Sequence, residues 1–136
     1  MMEHRFKAYS LARNCREIIQ DAARTERRLA ERYGRWRGLI AQHAISTRVM
    51  AEIELGQWEA VVTSEERRLR FRSCRDHSRS IALTDLAEAY ANTNHVARAL
   101  RVMRRAKRYA AIHTPQLLNY ITRRISELSA LQEGSR

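Results

Sequence analysis

The feature that most constrains this chain is the spacing of apolar residues between Leu83 and Ala111. Leu83, Leu86, Ala87 and Tyr90 form one set and Ala99, Met103 and Ala106 a second, with Val96, Leu100 and Tyr109 beside it. Steps of three, four and seven put each set on one side of a helix; on a strand they would scatter over both faces. A polar triplet, Asn92-Thr93-Asn94, separates the two stripes. A turn that short sends the second helix back along the first. Ala87, Ala99 and Ala106 are small enough to let the pair approach, while Leu86, Tyr90 and Met103 fill the groove between them. The stretch reads as a helical hairpin.

The remaining residues point to the same class. Four Gly and one Pro in 136 residues leave little material for the many turns of a β fold. The expectation is an all-α domain over residues 1–136, with about six helices in antiparallel hairpins forming an array or bundle. Residues 1–10 read as a polar, basic lead-in that is frayed or loosely helical, and the front helices occupy 11–73. The first runs from Leu11 to about Tyr33, with Cys15, Ile18 and Ala22 on its apolar side and Gly34 as its stop. The second runs from about Trp36 to Leu55. Leu39, Ile40, His43, Ala44, Thr47, Met50, Ala51 and Ile53 supply its buried side, and Gly56 closes it. The third runs from about Trp58 to Ser73. The linker is 73–80, after which Ser80 or Thr84 caps the next helix. Behind the hairpin, Thr114 and Pro115 mark a helix start. Leu117, Leu118, Ile121, Ile125, Leu128 and Leu131 then trace a capping helix that ends near Gly134, so that basic hairpin and cap together span 81–133.

The hairpin resembles a tetratricopeptide repeat. Its seven apolar positions fall where that family places a large residue, Leu, a small residue and Tyr, then Ala, a bulky apolar residue and Ala. The likeness covers residues 83–111. It departs from the family where Leu83 stands for Trp, Ala87 for Gly and Met103 for Phe, and Pro115 comes late. An offset of 38 residues relates Gly56 to Asn94 and Val61 to Ala99, near the family's repeat length, which raises an earlier, degenerate repeat. Two other readings of these residues stand beside the repeat. Residues 83–108 are similar to the helix-turn-helix of a DNA-binding regulator, with Asn92 taking the left-handed conformation of that motif's Gly. An ordinary helical hairpin is the third. A shorter string, ELGQWEAVVTSEERRLRF, looks like an edge of small flagellar and type III export chaperones, where a Trp-acidic pair (here Trp58-Glu59) precedes a Glu-rich helix.

Charge supplies the functional lead. The net charge is +11, with 24 Arg and 2 Lys, and it is unevenly placed. Residues 1–68 carry 13 basic and 10 acidic side chains, residues 69–136 carry 13 basic and 5 acidic. Arg98, Arg101, Arg105 and Arg108 share one face of the second hairpin helix, opposite Ala99, Met103 and Ala106, and Arg104 and Lys107 widen it. Arg68, Arg72, Arg75 and Arg79 form a similar row if the third helix continues into the linker. Guanidinium rows of this kind pair with carboxylates or phosphates. The excess draws in acidic protein surfaces and polyanions alike. No aromatic interleaves the row, which argues against stacking of single-stranded bases.

Chemistry has no comparable signal. There is no Gly-rich phosphate loop, HExxH or GxSxG, the five His are scattered, and Cys15 and Cys74 are isolated. No enzyme activity and no cofactor or metal is expected. An 18-residue apolar run and a secretory signal core are both absent, so a cytoplasmic protein that does not enter the membrane is expected. The repeat resemblance implies a scaffold that binds a peptide or helix. The expected function is therefore a bacterial protein–protein interaction module, adaptor or export-chaperone-like. Tyr90, Arg98, Arg101, Arg104, Arg105 and Arg108 are its expected contacts with an acidic partner. The alternative is a nucleic-acid-binding regulator that carries Arg98, Arg101, Arg104 and Arg105 into a groove.

Overall fold

The structure is a computed structural model that describes residues 2–32 and 37–134, with side chains over 11–28 and 38–134. It is all-α, with no strand among the described residues. The helices are α1 (Met2–Arg32), α2 (Arg37–Glu54), α3 (Trp58–Leu69), α4 (His77–Asn92), α5 (Val96–His113) and α6 (Leu118–Gly134). A 3-10 turn, Pro115–Leu117, leads into α6. Each helix packs on its neighbours in sequence, most extensively in the pairs α1–α2 and α4–α5.

Small residues set the α4–α5 seam. Leu83, Ala87, Met103, Ala106 and Ala110 are fully enclosed, and Ile121 of α6 closes the same cluster. Leu86, Tyr90, Ala99, Leu100 and Leu128 form a second cluster among α4, α5 and α6. Ile45, Val49, Val61 and Ala89 tie α2 and α3 to α4.

Two turns repeat one another across 38 residues. Gly56 and Asn94 both lie in the left-handed region, at φ 68° and 65°. Gly tolerates that conformation and Asn accepts it more readily than other residues. The Gln57 amide donates to the Glu52 carbonyl at 2.9 Å, and 38 residues on the His95 amide donates to Tyr90 at 2.8 Å. Val61 then bonds back to Gln57 at 3.1 Å, as Ala99 does to His95 at 2.9 Å. Hairpins α2–α3 and α4–α5 thus share one backbone frame, preceded by α1 and closed by α6. The left-handed residue is Asn94; Asn92 ends α4, and its side-chain amide donates to the Glu88 carbonyl.

Several boundaries differ from the sequence expectation. The α1 helix starts at Met2, nine residues before the apolar stripe begins, because nothing in residues 2–10 breaks a helix. Tyr33, Gly34 and Trp36, expected at the α1–α2 junction, lie outside the described residues. The α3 helix stops at Leu69, and α4 starts at His77, so Ser80 and Thr84 are enclosed within α4 and cap nothing. Thr114 does not cap through its hydroxyl, which donates to Ser80 Oγ at 2.9 Å in a buried link between α4 and the end of α5. On α2 the expected buried side holds at Ala44 and Ala51, which are enclosed, and at half-buried Ile40 and Ile53, but the rest of it is rotated by part of a turn. Ile45 and Val49 are enclosed, while Leu39, His43, Thr47 and Met50 are exposed.

Truncating the seam tests its importance. Met103→Ala should cost about 2–5 kcal/mol, whereas Arg104→Ala, on the exposed side of the same helix, should stay within about 0.5 kcal/mol. Urea denaturation of both variants measures the contrast.

Candidate partner-docking face

The outward face of α5 follows from its sequence, VARALRVMRRAKRYAAIH, which contains no acidic residue. The inward positions Ala99, Met103, Ala106 and Ala110 are enclosed against α4 and α6. The helical period then forces Arg98, Arg101, Arg104, Arg105, Lys107 and Arg108 outward, and all six are exposed. From Arg98 to Arg108 the row spans roughly 15 Å along the axis.

What marks this face is six exposed cations on one helix with no carboxylate among the described residues to meet them. On the other helices seven arginines meet carboxylates: Arg13–Glu17, Arg24–Asp21, Arg48–Glu52, Arg67–Glu26, Arg68–Glu65, Arg123–Glu127 and Arg124–Glu88. Among the described residues no carboxylate reaches Arg101, Arg104, Arg105, Lys107 or Arg108. These cations stand three and four residues apart, where like charges repel by a few tenths of a kcal/mol per pair. Helix α5 carries that repulsion with no carboxylate among the described residues to offset it.

Tyr90 is placed differently from the arginines expected beside it. Its ring is enclosed among Leu86, Ala99, Leu100 and Leu128, and its hydroxyl donates to Glu66. Burial, then the hydrogen bond and charge of Glu66, raise the phenol above its ordinary value. The Arg98 guanidinium sits over this ring at 5.8 Å. Tyr90 therefore supports Arg98 from within and offers no open groove surface.

The second expected row does not form. Arg68 is 4% exposed, donates from Nε to Gln42 at 2.8 Å and pairs with Glu65 at 3.3 Å. Because α3 ends at Leu69, Arg72 and Arg75 lie on the connecting loop, while Arg79 on α4 sits over Tyr109 at 5.4 Å. Asp76 meets His113 at 3.6 Å and not its sequence neighbour His77.

Sequence reasoning missed a buried polar seam through α2, α3 and α4. Ser64 donates to Glu52 at 2.8 Å, and Arg48 approaches the other oxygen of that carboxylate at 3.5 Å. The Glu65 and Asp85 carboxyls hydrogen-bond to each other beside Arg68. Burial holds Glu65 well above the usual carboxylate range, Arg68 pulls it partly back, and Asp85 pushes it up again. Asp85 is raised too, chiefly by burial. Two carboxyls against one guanidinium retain a proton. Glu65 is 0% exposed and Asp85 half-buried, and the pair joins α3 to α4.

Comparison of the chain with protein-family models, with curated proteins and with solved structures gave no match. Among the described residues no helix is long and apolar enough to cross a membrane.

The seam has a pH signature. A carboxyl raised from 4.5 to about 8 keeps on folding a proton that the unfolded chain has lost. Its contribution therefore makes stability fall as pH rises between those values, by up to about 1.4 kcal/mol per pH unit. Glu65→Gln should flatten the stability profile between roughly pH 5 and 8. Urea denaturation across that range measures the slope in both proteins.

Proposed function

We propose that the protein is a non-enzymatic, adaptor or export-chaperone-like scaffold that docks an acidic segment of a partner protein on the outward face of α5. The observation that carries this reading is the concentration of exposed cations on α5: six on one helix that has no acidic residue, and none of them meets a carboxylate among the described residues, whereas seven arginines elsewhere do. A partner that supplies carboxylates would relieve the repulsion along the helix and gain charge-assisted hydrogen bonds. The matching frames of hairpins α2–α3 and α4–α5 support the tetratricopeptide-like reading, in which stacked hairpins hold binding faces rigid. The helix-turn-helix reading fits less well. Helix α5 lies between α4 and α6 along its length, whereas a recognition helix has to stand clear to enter a groove. The cytoplasm is the setting this reading implies.

Fluorescence anisotropy with a labelled acidic peptide, and separately with duplex DNA, tests the proposal. The expected result is peptide binding that weakens with salt and falls by about tenfold or more in Arg101→Glu/Arg105→Glu. Sequence-selective DNA binding, lost in the same variant, would favour the regulator instead. Peptide binding unchanged by the double reversal would remove α5 from the account.

A further inference from the structure

The cationic face of α5 ends abruptly, and its end has a different character. Outward positions 101, 105, 108 and 112 follow steps of four, three and four, so their side chains lie along one line of the helix. The first three are Arg. The fourth is Ile112, which is 75% exposed, more than any other large hydrophobic side chain among the described residues. Ile112 takes no part in the core, because Ala106, Ala110 and half-buried Tyr109 fill the inward positions at that end. Ala111 and Pro115 beside it are exposed as well. From Ala111 through Thr122 the chain carries no Lys, Arg, Asp or Glu. The face is therefore polarised: cations over roughly 15 Å, then an apolar end about 6 Å beyond Arg108.

Single exposed aliphatic residues are commonplace on protein surfaces. What distinguishes Ile112 is its place in line with the unpaired arginines. A phosphate backbone, uniform in charge, would gain nothing from an isoleucine there. A protein segment can present both characters on one side of a helix.

Resting on the docking role proposed above, we infer that the partner element is an acidic amphipathic helix with an apolar side chain at one end, seated over Ala111, Ile112 and Pro115. Acidic residues on one helix face pair with Arg98, Arg101, Arg105 and Arg108 and steer the approach. The apolar side chain fixes which way the helix lies and how far along α5 it sits. Charge pairs exposed at a rim contribute mainly to encounter and little to affinity. A buried aliphatic contact contributes to affinity independently of salt.

The test uses the full chain and three labelled helical peptides with the same acidic face: one with Leu at its first position, one with Leu at its last, one with Ser at both. One Leu peptide is expected to bind about tenfold more tightly than the Ser peptide, equivalent to about 1.4 kcal/mol. Ile112→Ser should abolish that preference while leaving Ser-peptide affinity unchanged. Arg101→Glu/Arg105→Glu should weaken all three peptides alike. Equal binding of the three by the wild-type chain, or a preference that survives Ile112→Ser, overturns the apolar anchor and leaves the acidic docking role standing. No binding of any peptide by the wild-type chain overturns both.

Discussion

Ala87, Ala99 and Ala106 leave little more than methyl groups between α4 and α5, and the near approach they permit organises the rear half of the molecule. With the two backbones that close, Leu83, Leu86 and Met103 have only one place to pack, and Ile121 and Leu128 of α6 complete the enclosure. Fixing the inward side of α5 also fixes its outward side. The exposed arginine row is a geometric consequence of which α5 residues are small.

The hairpin and the arginine row were legible in the sequence because their residues are of one kind on each face. The front half was harder to read, for a physical reason. The positions 38 residues before Tyr90, Met103 and Ala106 are Glu52, Glu65 and Arg68, all enclosed. The first hairpin fills core positions of the shared frame with a hydrogen-bonded polar seam where the second uses apolar groups. Hydrophobic periodicity is blind to that substitution, and only the 38-residue offset between turns hinted at it. Half of the expected α2 face lies outside for a related cause, though Ala44 and Ala51 are enclosed as the spacing predicts. Leu39, His43 and Met50 look like a stripe but lie outside, while the enclosed side mixes Ile45 and Val49 with Gln42 and Glu52. Spacing puts Tyr90 in the groove between the hairpin helices, where it is enclosed; what local spacing does not reveal is that Leu128, 38 residues further along, belongs to the same cluster.

The two ways of using arginine divide the protein. Outside α5, guanidinium groups cross-link helices: Arg67 to Glu26, Arg68 to Gln42 and Arg124 to Glu88, while Arg68 also pairs with Glu65 on its own helix. Replacing one partner of such a pair leaves a buried charge uncompensated. From Arg101 to Arg108 the guanidinium groups of α5 meet no carboxylate among the described residues and repel their neighbours, a cost to folding that the proposed binding role would account for. Residues kept at some expense to stability are where function is to be sought.

Thermal unfolding of Arg101→Gln/Arg105→Gln/Arg108→Gln beside the wild-type chain, at low and at moderate salt, tests the central claim most directly. If these cations serve an outside partner, the variant is at least as stable as the wild type at low salt. Added salt then raises the wild type toward the variant by screening the repulsion. A variant clearly less stable at low salt would show that the arginines hold the fold together, and the α5 face would lose its claim as a docking surface.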